Sequence, residues 1–386
     1  MIKLKYLATM FAILPTLSLT SCGLSSNNNT IVFAMKTGGI VQSAQDFVNQ
    51  VKLNFDKLTE NLELKNLPTT FKVKEVSDNS SKKTLIENGS ANFAFLTVNS
   101  VLDNNFYKNT KPLIQTLTTP FTFDLDENQK YVDGAISKDG AASDPLIEIA
   151  KEMQKASFGS NYEYPFNTWK DGKGGQPNYD WNSIRYNAFY DTKSEPVKFY
   201  RGMIVLSGTK TENEKIKEAW NSKKWDAFRN YGIVLGESSS NGNYKLQEQL
   251  IKKHFSKLDW TLDLDRARNP DKYKTNSSGT DMRDKNYRIH FTDEASFAWT
   301  KNTESNLDFY YPRNDNVVEI LTVTNPSLYD IGTFSKNVDD QVAKYISEAI
   351  VQTYKENNNN YGESLGYNGY KKIDDFKIEV IDYLEK

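Results

Sequence analysis

Past residue 30 the apolar positions fall into two rhythms that take turns along the chain. Ile31–Ala34 is a short apolar run, and from Val41 to Leu58 the residues Phe47, Val51, Phe55 and Leu58 recur at helical spacing. Phe71–Val76 alternates apolar and charged residues, as a half-buried strand does. A short helix over 80–89 ends at Gly89, and Ala91–Leu96 is apolar throughout. This β-α-β-α-β order predicts a parallel, doubly wound sheet, in which ligands sit at the carboxyl ends of strands. Lys36, Thr37 and Gly38 stand at one such end, and Thr97, Asn99 and Ser100 at another.

The rhythm lapses over 119–195, where turn formers and aromatics such as Trp169 and Trp181 dominate and only Pro145–Lys155 reads as a helix. It resumes with a strand over Val197–Ser207, carrying Tyr200 and Arg201, and helices over 211–220 and 225–230. An apolar strand, Tyr231–Leu235, leads through the loop Gly236–Gly242 into an amphipathic helix marked by Leu246, Leu250 and Ile251. Further strands fall at Arg288–Phe291 and Glu319–Val323, and a long helix at Val338–Tyr354. A second αβ unit thus starts near Pro120, and after Thr324 the chain returns to the first. The pattern predicts lobe 1 over 31–118 and 324–386, and lobe 2 over 119–323 with an irregular insertion at 119–195. Lobes joined by two crossings can close on a ligand like a hinge.

The loop before the amphipathic helix holds Ser238, Ser239 and Ser240. Two readings suit it: a turn with a serine N-cap, or an anion cradle at the positive end of a helix. Strand ends at Lys36, Thr97, Arg201 and Trp299 make the loop one wall of an interlobe cleft and favour the cradle. Arg201 beside Tyr200 suits a bidentate grip on phosphate or a pairing with a carboxylate. Phe297 and Trp299 share a face at strand alternation, as core packing or as a stacking surface for a heteroaromatic ring. Ser296 and Asn325 complete the candidate set, and Asp293 and Glu294 nearby would suit a cation or amino group.

Composition then narrows the class. A formal net charge of -2 over 386 residues gives no basic footprint for nucleic acid. Aromatics reach 13%, with 22 Tyr and 21 Phe, more than any ligand site needs. Only two histidines occur, His254 on the polar side of its helix by spacing and His290 inside a strand. No HExxH, CxxC, GxSxG or P-loop pattern appears, so neither a metal site nor catalysis is expected. At the N-terminus Lys3 and Lys5 precede the apolar segment Tyr6–Leu19, an export signal too short for a confident membrane span. Leu19–Cys22 resembles the bacterial lipoprotein box. Residues 1–22 then form the signal, 23–30 a flexible tether, and the sole cysteine, Cys22, the lipidated anchor.

Several stretches together carry a wider resemblance: Tyr200–Ile204, Ile216–Trp220, Trp225–Gly236, Ser296–Trp299, Thr324–Pro326 and Leu365–Ile373. They resemble the mycoplasma p37 family of extracytoplasmic thiamine-binding lipoproteins, across essentially the whole chain after the signal. The Gly236–Tyr244 segment is also similar, more distantly, to the serine-rich anion loop of phosphonate-binding proteins. The resemblance implies a type 2 periplasmic-binding-protein fold with mixed, mostly parallel sheets. It further implies thiamine or thiamine diphosphate as ligand rather than cofactor, and a monomer that serves the permease and ATPase of an ABC importer from the outer face of the cell membrane. Two other readings stay open at this point: the same fold holding a phosphonate or other phosphorylated solute, and a surface adhesin.

Overall fold

A computed structural model describes residues 29–36, 43–64, 66–121, 145–158, 190–191, 193–238, 240–256, 260–275, 282, 284, 286–294, 296 and 316–384. Two sheets organise them. The first contains β1 (Thr30–Met35), β2 (Thr70–Glu75), β3 (Phe93–Leu96), β4 (Thr110–Leu117), β12 (Ile331–Ser335) and β13 (Gly369–Lys372), in the order β13-β4-β12-β3-β1-β2. Its β1, β2 and β3 pair parallel, while β12 runs antiparallel between β3 and β4. The second contains β6 (Gly202–Leu206), β7 (Ile233–Leu235), β8 (Tyr273–Thr275), β9 (Ile289–Asp293) and β10 (Glu319–Val323), in the order β10-β6-β9-β7-β8. Here β7 pairs parallel with β8 and β9, and β6 antiparallel with β9 and β10.

The helical stripe over 41–58 becomes α1 (Ala44–Thr59), started by Ser43, whose hydroxyl accepts from the Asp46 N–H at 3.1 Å. Phe47, Val51 and Phe55 are fully buried, each contributing about 1.5–3 kcal/mol of burial, whereas Leu58 at 37% exposure has run off the packed face. They meet Phe33, Phe93 and Phe334 from the sheet, with α9 (Asp340–Lys355) packed alongside. Much of the aromatic excess is therefore core. The opposite face of the sheet is covered by α2 (Asn79–Glu87) and α3 (Val98–Leu102). In lobe 2, α5 (Lys210–Asn221), α6 (Trp225–Arg229), α7 (Leu246–His254) and α8 (Leu262–Arg268) surround an aromatic core of Trp220, Trp225, Phe228 and Phe255. The helix of the irregular region, α4 (Pro145–Phe158), packs on β10, and Gln154 clasps that edge strand: its Oε1 accepts from Ile320 N at 2.8 Å and its Nε2 donates to Val318 O at 3.2 Å.

Three local features depart from the periodicity. The single strand expected over 197–207 is two, because Arg201 separates β5 (Phe199–Tyr200) from β6. Strand β4 escapes the pattern because Pro112 lies within it; a register shift against β12 at Gly332/Thr333 accommodates a residue that cannot donate to the ladder. His254, placed by spacing on a solvated face, is fully buried. Its ring stacks on Trp220 with centroids 4.0 Å apart and an 11° tilt, and a ring nitrogen lies 2.8 Å from Trp220 O. The reason is tertiary: Trp220 and Phe255 cover the His254 side of α7, while Gln249 and Lys253 keep the exposed face. His290 is a core residue, fully buried with a ring nitrogen 2.7 Å from Ser207 Oγ.

Candidate functional site

The lobes meet at a waist of short extended segments. Strand β5 pairs antiparallel with β11 (Ser327–Leu328), setting Tyr200 against Ser327 and Phe199 against Leu328. Thr118 and Val197 form a further antiparallel bridge. Arg201, at the exit of β5, is fully buried. Its Nη1 donates to Thr324 O at 3.0 Å, its guanidinium lies 5.4 Å from the Phe199 ring, and its backbone N–H donates to Glu294 Oε2 at 3.1 Å. These contacts tie together the segments that leave lobe 2.

One side chain joins all the parts. Asn241 sits where the loop after β7 enters a single π-helical turn, Asn241–Lys245, ahead of α7. Its Nδ2 donates to Tyr200 Oη at 2.7 Å and to Ser327 Oγ at 2.8 Å, and its Oδ1 accepts from Asn99 Nδ2 at 2.5 Å. The first two partners belong to the waist; Asn99 belongs to α3 of lobe 1. Asn241 is therefore the node at which lobe 1, lobe 2 and the waist touch. Behind it, Gln247 Nε2 donates to Met203 O at 3.2 Å and Thr292 O at 3.1 Å, pinning the π turn to β6 and β9.

Asp293 closes this corner at the end of β9. Gly242 leaves it room, since a Cβ there would lie 1.7 Å from Asp293 Oδ1 and 3.4 Å from the Tyr200 ring. Burial raises the carboxyl of Asp293 to about 6, against a smaller downward pull from the Asn243 side chain. Burial also holds the Tyr200 phenol well above its ordinary value, and the negative charge of Asp293 adds to that. The corner thus presents a carboxyl and a neutral phenol side by side.

The other expected residues are distributed as follows. Thr97 Oγ1 and Ser100 Oγ lie 2.8 Å apart at the start of α3, both half-buried like Asn99. Ser240 is an N-cap: its hydroxyl accepts from Asn243 N at 3.3 Å, while Ser238 is exposed. The loop closes on itself through Gly236 N to Asn243 O at 3.0 Å and Ser240 N to Glu237 O at 2.8 Å. Ser296 is buried, its hydroxyl 2.8 Å from Thr292 Oγ1; Asn325 is half-buried, and its carbonyl accepts from Thr324 Oγ1 at 2.9 Å. Lys36 is exposed at the end of β1, and its carbonyl accepts from Tyr361 Oη at 2.5 Å. Cys22, Thr37, Gly38, Ser239, Phe297 and Trp299 lie outside the described residues.

One hollow borders the node and another lies within lobe 1. A groove of about 620 Å³ runs between Asn99 and Asp103 of lobe 1 and Ser238, Tyr244 and Lys245 of lobe 2. A smaller cavity of about 190 Å³ lies within lobe 1 at the carboxyl ends of β1 and β3. Sequence reasoning missed Asn241 and Ser327, whose role arises from the pairing of β5 with β11. It also missed Lys82, which lines the smaller cavity. Lys82 and Ile86 are the buried residues of α2, so a lysine four places before an apolar anchor was the available signal. Among the described residues no cluster of three or more His, Cys, Asp or Glu is placed to hold a metal, and no helix is long and apolar enough to cross a membrane.

Two αβ lobes, a returning strand inserted antiparallel beside β3, and a polar cleft at the strand ends define a type 2 periplasmic-binding-protein fold. Within that class the chain belongs to the family of extracytoplasmic thiamine-binding lipoproteins, whose model matches residues 45–386. It is 32% identical over 389 residues to the high affinity transport system protein p37 of Mycoplasma pneumoniae, covering 97% of this chain and 95% of that protein. It is 39% identical over 275 residues to the protein of the same description from Mesomycoplasma hyorhinis, 71% of this chain but 64%, under two thirds, of that protein's length. The solved structure of the Mycoplasma hyorhinis protein Mh-p37, described as a candidate thiamine pyrophosphate transporter, superposes with a TM-score of 0.79 at 32% identity. That match covers 92% of this chain and 98% of the other. The family is one of extracytoplasmic binding and transport proteins.

Proposed function

We propose that this chain is the solute-binding component of an ABC importer, without catalysis of its own, and that it takes thiamine or thiamine diphosphate into the cleft between its lobes. Lipidation of Cys22 holds it on the outer face of the cell membrane, where the closed form delivers the ligand to a permease. The observation that supports the ligand class most directly is the corner built by Asp293, Tyr200 and Gly242. A carboxylate enclosed beside an aromatic face suits an organic cation with a ring system, because the ring quadrupole and the carboxylate attract the same charge. Asn241 supports the delivery step. Its bonds to Asn99, Tyr200 and Ser327 exist together only when the lobes are close, so closure and site assembly are one event. In this reading Arg201 braces the waist, and Thr97, Asn99 and Ser100 supply polar groups from lobe 1.

Isothermal titration of the purified chain with thiamine and with thiamine diphosphate tests the proposal. Binding at about micromolar Kd or tighter, roughly −8 kcal/mol, is expected for one of the two. No heat from either, with heat from methylphosphonate instead, would replace this ligand with a phosphonate.

A further inference from the structure

The smaller cavity, in lobe 1, is lined by Lys36, Ser77, Asn79, Lys82, Asp330 and Tyr367 among others. Its most unusual member is Lys82, which is 7% exposed yet charged by type. Buried lysines commonly extend their ammonium to water or pair it with a carboxylate. Lys82 does neither. Its Nζ donates to Phe95 O at 3.3 Å, and among the described residues it forms no ion pair. An ammonium has three donors, so most of its hydrogen-bonding capacity is directed at the cavity. The neighbouring carboxyl, Asp330, is engaged instead by Tyr367 Oη at 2.5 Å. Burial lowers the basicity of Lys82; the carboxyls of Asp330 and Asp78 offset part of that and the charge of Lys36 adds to it, so an anion in the cavity would favour the charged ammonium.

The lining carries two lysines against one carboxyl, a net charge of one positive. Ser77 and Asn79, at the start of α2, add short polar side chains. At about 190 Å³ the space is smaller than the roughly 300–1,000 Å³ that encloses a whole drug-sized ligand, so it suits a compact end group. It lies at the same edge of the sheet as the waist, because Asp330 stands in the short link between β11 and β12 and Phe95 precedes α3, which bears Asn99.

Resting on the binding function proposed above, we propose that this cavity is the phosphate subsite: Lys82 and Lys36 meet the diphosphate of the ligand in lobe 1, and its rings extend toward Asn99 and Tyr200. The serine loop of lobe 2 is then a capped turn that shapes the cleft wall. Recognition is divided, with lobe 1 reading the anion and lobe 2 the cation.

The test compares the full-length chain in mild detergent with Lys82→Met, Lys82→Arg and Lys36→Met, titrating each with thiamine diphosphate, thiamine and inorganic pyrophosphate. Lys82→Met is expected to weaken both phosphates on the order of 100-fold, since a buried charge partner is removed, and to change thiamine by less than about twofold. Lys82→Arg should recover part of the loss. The ligand-free melting temperature of Lys82→Met should equal or exceed that of the unmodified chain, because no native ion pair is broken. Lys36→Met, at an exposed position where folding is not at stake, should weaken the phosphates by about tenfold. Phosphate binding within about threefold of the unmodified chain in both methionine variants overturns the subsite while leaving the binding function intact. Failure of the unmodified chain to bind any of the three ligands overturns the binding function and the subsite together.

Discussion

Asp265 in lobe 2 and Lys82 in lobe 1 are buried to nearly the same degree, 6% and 7% exposed, but only Asp265 is enclosed by direct hydrogen-bonding partners. Asp265 accepts from Arg229 Nη1 at 2.9 Å, Trp225 Nε1 at 3.3 Å and Asn269 Nδ2 at 3.4 Å, and from the Tyr273 hydroxyl. Helices α6 and α8 and strand β8 converge on that one carboxylate. Lys82 has a single long bond to a carbonyl and a cavity in front of it. A buried charge surrounded by partners organises a fold, whereas one facing open space keeps donors that a ligand can take up. Depth of burial alone separates nothing here; the partner set does.

The widest separation between the two should appear in stability. Asp265→Ala strands Arg229 and leaves Trp225 and Tyr273 without their acceptor. A loss of about 3–5 kcal/mol is expected in urea unfolding followed by tryptophan fluorescence, while Lys82→Met loses nothing. Equal losses in the two variants would erase the distinction.

Asp293 offers a smaller effect of opposite sign. Its carboxyl is raised from 3.8 to about 6, so the folded state takes up the proton before the unfolded state does. At pH 7 the folded carboxylate is therefore a liability, and stability from this group rises as pH falls through about 6 toward 4. Asp293→Asn should stabilise the ligand-free chain at pH 7 by up to about 3 kcal/mol, with most of the gain gone near pH 4. Thiamine affinity should fall in the same variant. A carboxylate lost without any gain in stability would show that Asp293 is held by partners as Asp265 is.

Much of the lobe architecture was legible because burial leaves a rhythm. The run at Glu319–Val323 and the stripe through Phe47, Val51 and Phe55 each report a packed face. What stayed hidden were elements whose identity depends on a distant neighbour. Strand β4 carries Lys111 and Pro112 and exists because β12 and β13 pair on either side of it. Strand β11 is two residues long and defined by β5 alone. The site shows the same division. Tyr200 and Asn99 follow from the rule that strand ends line the cleft, whereas Asn241 acquires its place only when both segments of the waist are present. Arg201 illustrates the limit: its chemistry suits a phosphate or a carboxylate equally, and its complete burial beside Thr324 is a tertiary fact. His254 shows the converse, a polar residue on a polar stripe that a neighbouring tryptophan covers.

A crystal structure of the chain with thiamine diphosphate tests the division of labour between the lobes most directly. The account predicts phosphate oxygens within hydrogen-bonding distance of Lys82 Nζ in the lobe 1 cavity, with the ring system beside Tyr200 and Asp293. Phosphates seated on the 236–243 loop, with Lys82 out of contact, would contradict it.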